Sequence, residues 1–183
     1  MPRRHALRLL TGLIASLIAF GAVGCSHYQR GTDATLAFST LYVAPVRDDA
    51  ALPQAAALAT SQIRERFLRD GRIRLVDSPE DAEAILYVTL VRYERGIATV
   101  RPNDTGLARK LELTLSAEAT LLNPRTRSEW FSRRPLSGRR QAFTDDPGQA
   151  ETFGNQGQAE RQTWVLLAGT IADAAVGATL DVW

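Results

Sequence analysis

One cysteine and two histidines are all that this chain of 183 residues holds of the side chains most used in nucleophilic and metal chemistry. Both histidines, His5 and His27, precede the first patterned segment, so Ser-His-Asp catalysis, Cys-His catalysis and His-based zinc sites are excluded from whatever folds after them. A lone thiol, Cys25, also excludes an internal disulfide. Neither GxxxxGK[ST] nor GxGxxG occurs, so those phosphate cradles are absent. The carboxylate pairs Asp48-Asp49 and Asp145-Asp146 sit in turn-like stretches, where solvation accounts for them. An enzyme working through carboxylates alone is the weakest class left open, and the chain reads as a non-enzyme that needs no cofactor.

What is present begins with an export signal. Arg3-Arg4-His5-Ala6-Leu7-Arg8 is a basic n-region, and the uncharged run 9–24 that follows is an apolar h-region too short and glycine-interrupted for a permanent span. It closes on Ala22-Val23-Gly24-Cys25, which resembles the lipobox of bacterial lipoproteins, with Ala22 where leucine is usual. That resemblance implies cleavage after residue 24 and a covalent lipid on Cys25, whose several acyl chains would hold the protein on a membrane. Ser26 in the next position suits export to the outer membrane. Loss of residues 1–24 removes three arginines and leaves 19 basic against 20 acidic residues, so the sequence pI near 9.0 does not point to nucleic acid.

Residues 25–37 read as a lipidated tether and residues 38–183 as one domain, large enough to bury about 68–70% of the unfolded chain's surface. "FSTLYVAPVR" (38–47) is a strand candidate. Pro53 opens an amphipathic helix whose apolar row is Leu52, Ala56, Ala59, Ile63 and Phe67, ended by Gly71. "RIRLVD" (72–77) alternates, and 84–100 forms a long central strand with faces Ile85, Tyr87, Thr89, Val91, Tyr93 and Leu86, Val88, Leu90, Arg92, Glu94. A polar loop is expected around Pro102–Gly106. Then Leu111, Leu113, Leu115, Ala117, Ala119 and Leu121 alternate with Lys110, Glu112, Thr114, Ser116, Glu118 and Thr120, one face for a core and one for water. "NPRT" (123–126) turns this strand into another near 127–134, a glycine-rich loop covers 144–157, and a helix follows near 158–179. Its low charge also admits a transmembrane reading, but Asp173 at mid-span favours a core helix. The expectation is an α+β two-layer sandwich: a mainly antiparallel, mixed sheet of four to five strands with two helices packed on one face.

The arginines after the turn, including Arg133, Arg134, Arg139 and Arg140, carry two readings. Guanidinium groups grip phosphates bidentately, as in lipopolysaccharide; charge also protects an exposed strand edge. Neighbouring strand residues face opposite ways, so Arg133 and Arg134 cannot serve one flat surface.

Together, the lipobox, "FSTLYVAPVRDD", "LATSQIRERFLRDGRIRLVDSPEDAEAILYVTLVRYER" and "ARKLELTLSAEATLLNPRT" resemble the LptE lipopolysaccharide-assembly lipoproteins over about residues 25–180. The resemblance implies a sandwich seated inside a large outer-membrane β-barrel, the LptD translocon subunit, where it plugs the lumen, helps the barrel assemble and assists placement of lipopolysaccharide in the outer leaflet. The row Lys110, Glu112, Thr114, Ser116 and Glu118 would face the polar barrel interior. A free-standing periplasmic module that binds lipid or an envelope complex is the alternative.

Overall fold

A computed structural model describes residues 36–101, 104–143 and 155–181. The signal, Cys25, most of the tether, Pro102-Asn103 and most of the loop expected at 144–157 lie outside those residues.

The chain order is β1 (Thr40–Val43), β2 (Arg47–Asp48), α1 (Pro53–Asp70), β3 (Arg74–Val76), a 3-10 turn (Pro79–Asp81), β4 (Ala84–Arg101), β5 (Asp104–Leu122), β6 (Glu129–Phe143) and α2 (Asn155–Leu180). The sheet runs β3-β1-β4-β5-β6, and β2 continues beside β4. β3, β1 and β2 pair in parallel and β4 to β6 antiparallel. Six strands rather than four or five result because the first expected strand breaks in two. Pro45 has no N–H to give the ladder, while its flanks stay attached through Ala44 N to Leu86 O (3.1 Å) and Asp49 N to Leu90 O (2.9 Å).

Pro53 pre-sets the first turn of α1, and Gly71 closes it at φ 75°, its N–H donating to Phe67 O at 3.1 Å. The expected apolar row of α1 is buried, and Leu167, Ala168, Ile171, Ala172 and Ala175 of α2 are fully enclosed beside it. The apolar row of β5 lies beneath α2, with Leu113, Leu115 and Leu121 at 0–1% exposure, while α1 packs over β1, β2 and β3. Each such leucine contributes about 1.5–3 kcal/mol, so this row and the two helix faces hold the layers together. α2 is long and apolar enough to cross a membrane, yet half of that stretch is buried inside the fold. Asp173, its mid-helix charge, pairs with Arg66 of α1.

Three expectations change. β5 begins at Asp104, so residues expected in a polar loop extend a long ribbon with β4. β6 runs to Phe143, well past 134, because Pro135 lies on an edge strand where a missing donor is tolerated. In β4 the register slips between Leu90 and Arg92: Leu90 opposes Ala117 and Arg92 opposes Ser116. Val91 is therefore a bulge, and after it Tyr93 opposes Leu115 and joins the helix-covered face instead of continuing the row of Ile85, Tyr87 and Thr89.

Candidate binding surface on the open sheet face

With both helices on one side, the other side of the sheet carries the polar row of β5. Lys110, Glu112, Thr114, Ser116, Glu118 and Thr120 alternate with buried neighbours and are each partly exposed there. Lys110 sits 4.9 Å from the ring centroid of Phe143. A smaller apolar cluster, Val76, Ala82 and Ile85 with Tyr42, covers the same face near β1 and β3.

The four arginines divide between faces. Arg133 stands at a second bulge, with φ 47°. Its backbone N–H donates to Thr120 Oγ1 (3.0 Å), and its guanidinium grips Glu118 through Nε (2.8 Å) and Nη2 (3.2 Å). That guanidinium holds the Glu118 carboxyl below the usual carboxylate range, and the carboxylate in turn raises Arg133. Arg139 opposes Thr114 and lies 3.4 Å from Glu112. Arg134 points to the helix side, where Nη1 donates to Ala178 O (3.0 Å) and the group lies over Phe131. It thus satisfies one of the orphan carbonyls in the last turn of α2. Arg140, opposite Leu113, is exposed and donates to Arg139 O at 2.9 Å.

Between β2 and the β6 bulge the open face forms a groove of about 530 Å³. Arg47 aligns with Thr89, and Thr89 with Glu118; one level away Tyr87 aligns with Thr120. Pro45 and Asp49 complete one wall and Arg133 the other, with Val91 at the end. Arg47 and Asp49 pair at 3.1 Å. Of these residues Glu118 and Thr120, through the polar row of β5, and Arg133 stand out in the sequence. The others come from strands distant in sequence, and the only local signal among them is Tyr87, a large aromatic on the face opposite the core leucines.

A second polar cluster lies on the helix side. Glu160, 7% exposed, accepts from Tyr93 Oη (3.3 Å) and Arg95 Nη1 (3.4 Å), while Trp164 Nε1 donates to Tyr93 Oη (3.3 Å). Burial is the main cause that pushes the Tyr93 hydroxyl up, and the cluster fastens the start of α2 to the ribbon.

No group of three or more metal-ligating side chains occurs among the described residues. One face covered by helices and one uncovered polar face define a two-layer α+β sandwich. The chain belongs to the LptE lipopolysaccharide-assembly family, whose model matches residues 38–174. No curated protein sequence matches it. Among solved structures, rare lipoprotein B from Shewanella oneidensis is similar at 18% identity, covering 78% of this chain and 94% of that one with a TM-score of 0.50. A Xanthomonas campestris protein aligns at 14% identity over 81% of this chain and 86% of its own, TM-score 0.57. Lipoprotein B from Nitrosomonas europaea is 20% identical, with coverages of 84% and 94% and a TM-score of 0.49.

Proposed function

We propose that this chain is an outer-membrane lipoprotein, cut after residue 24 and acylated on Cys25, whose single domain plugs an LptD-type β-barrel, helps it assemble and assists lipopolysaccharide insertion into the outer leaflet. It acts by binding, without catalysis or a cofactor. The observation that carries this reading is the open sheet face. A row of lysine, glutamate, threonine and serine alternates strictly with a leucine and alanine core, and it remains half-exposed although the domain has helices enough to cover one face only. The lumen of a large outer-membrane barrel is lined by polar groups that such a row can meet with hydrogen bonds. Family membership supplies the context of lipopolysaccharide assembly.

Phosphates of lipopolysaccharide would be met along the β6 edge. Arg134 has its Nη1 donor engaged by Ala178 O and Arg133 is gripped by Glu118, so Arg139 and Arg140 are the freer pair. Residues of opposite faces can both reach a ligand that wraps an edge strand.

The test is affinity co-purification of the tagged, lipidated protein from detergent-solubilised membranes. A stoichiometric large β-barrel that stays bound in high salt is the expected result. Recovery of the acylated, folded lipoprotein alone would overturn the plug and favour a free periplasmic module.

A further inference from the structure

The groove beside Tyr87 has a composition that neither a barrel wall nor a phosphate requires. Its four charged groups are two guanidiniums and two carboxylates, Arg47 with Asp49 and Arg133 with Glu118, so their formal charges cancel. At Arg133 a phosphate would have to displace Glu118 from a two-point grip, and at Arg47 it would meet the carboxylate of Asp49; a neutral ligand leaves both pairs intact. Tyr87 is 45% exposed, and Thr89 and Thr120 lie beside it. A tyrosine ring offers an apolar face with a polar rim. The C–H-bearing face of a pyranose stacks on such a ring, while its hydroxyls both donate and accept. Carboxylate oxygens, guanidinium N–H groups and threonine hydroxyls together supply both kinds of partner. The volume, about 530 Å³, lies within the usual range for small-molecule sites.

We propose that this groove binds a neutral saccharide: Tyr87 stacks on a sugar ring, and Thr89, Thr120, Asp49 and Glu118 take its hydroxyls. The ligand chemistry has two sources in a bacterial envelope, the core sugars of lipopolysaccharide and the glycan of the cell wall. The site stands apart from the barrel assignment, because a soluble sugar can be tested on the lipoprotein with no barrel present.

The experiment is saturation-transfer NMR on the full lipoprotein in a detergent without a sugar headgroup. Two probes are used: chitotetraose, and lipopolysaccharide core oligosaccharide stripped of acyl chains and phosphate. Transfer to ring C–H protons of either probe is expected, and the responding probe identifies the source. Tyr87→Ala should weaken binding by about tenfold and Tyr87→Phe should retain most of it, since the stacking face is kept. Thr89→Val, which keeps the side-chain shape and removes only a hydroxyl, should weaken binding about two- to tenfold and supports the assignment even if Tyr87→Ala folds poorly. Transfer to neither probe, binding unchanged in both Tyr87→Ala and Thr89→Val, or displacement by inorganic phosphate would each overturn the proposal. A negative result here with a barrel still co-purifying leaves the plug reading standing.

Discussion

Gly138 of β6 lies against α2 so closely that a Cβ there would meet Thr170 Cβ at 3.2 Å and Cγ2 at 3.3 Å. Overpacking at such a contact costs about 1–3 kcal/mol, so the larger Gly138→Val should lower the thermal midpoint by roughly 2–10 °C. Differential scanning calorimetry reads this directly. Charge at single residues sets the acid limit. Arg133 lowers Glu118, hydrogen bonds from Ser39 lower Glu83, and Arg72 lowers Asp70, each against ordinary values of 4.5 for glutamate and 3.8 for aspartate. All three therefore titrate lower in the folded state than in the unfolded one. In that window the unfolded chain binds more protons, so stability rises with pH. The stabilisation from these groups should be fully present above about pH 5 and lost as pH falls through the folded values. A series of urea midpoints from pH 7 to pH 3 should be flat and then fall; Glu118→Gln should flatten part of the fall.

The bulge in β4 shows what an element can do that its residues do not announce. Deleting Val91 removes the extra residue yet leaves Tyr93 facing Leu115 and the helices, whereas deleting Glu94 turns Arg95 to the open face and Gly96 inward. The Val91 deletion is therefore expected to fold and keep the Arg95–Glu160 pair, and the Glu94 deletion to lose that pair and part of its stability while Tyr93 stays beside Trp164, as unfolding curves would report. The row of α1 and the alternation of β5 were legible in the sequence because each follows one period without interruption. A bulge breaks the period by one and has no composition of its own, so the distal face of β4 was not legible. Nor was the length of β6, where a proline reads as a stop unless the strand is known to be an edge. The polar row from Lys110 to Glu118 could be read as a surface from one strand. The groove could not, since Arg47, Tyr87, Thr120 and Arg133 meet only through the pairing of four strands. α2 was legible as a core helix: Ile171→Ala, at a fully buried position, should cost about 2–5 kcal/mol, a size no lipid-facing residue would show in detergent unfolding.

On the scale of the whole molecule, the helices close one side and the sheet leaves the other for a partner. In the proposed reading the edge arginines meet lipopolysaccharide and the polar row meets a barrel wall. Arg139→Ala with Arg140→Ala should reduce capture of lipopolysaccharide while leaving the unfolding midpoint within about 1 kcal/mol of the parent, since both side chains are exposed and any ion pair there is weak. A loss of folding instead would assign these arginines to the edge itself. The polar row bears on the central claim, that this face lies against the wall of an outer-membrane barrel. A photo-crosslinking residue placed at Thr114 or Ser116 of the membrane-anchored protein tests it in intact cells. The account predicts an adduct with one large β-barrel protein from both positions. Light-independent, uncrosslinked lipoprotein at both positions, with the protein folded and membrane-bound, would contradict it.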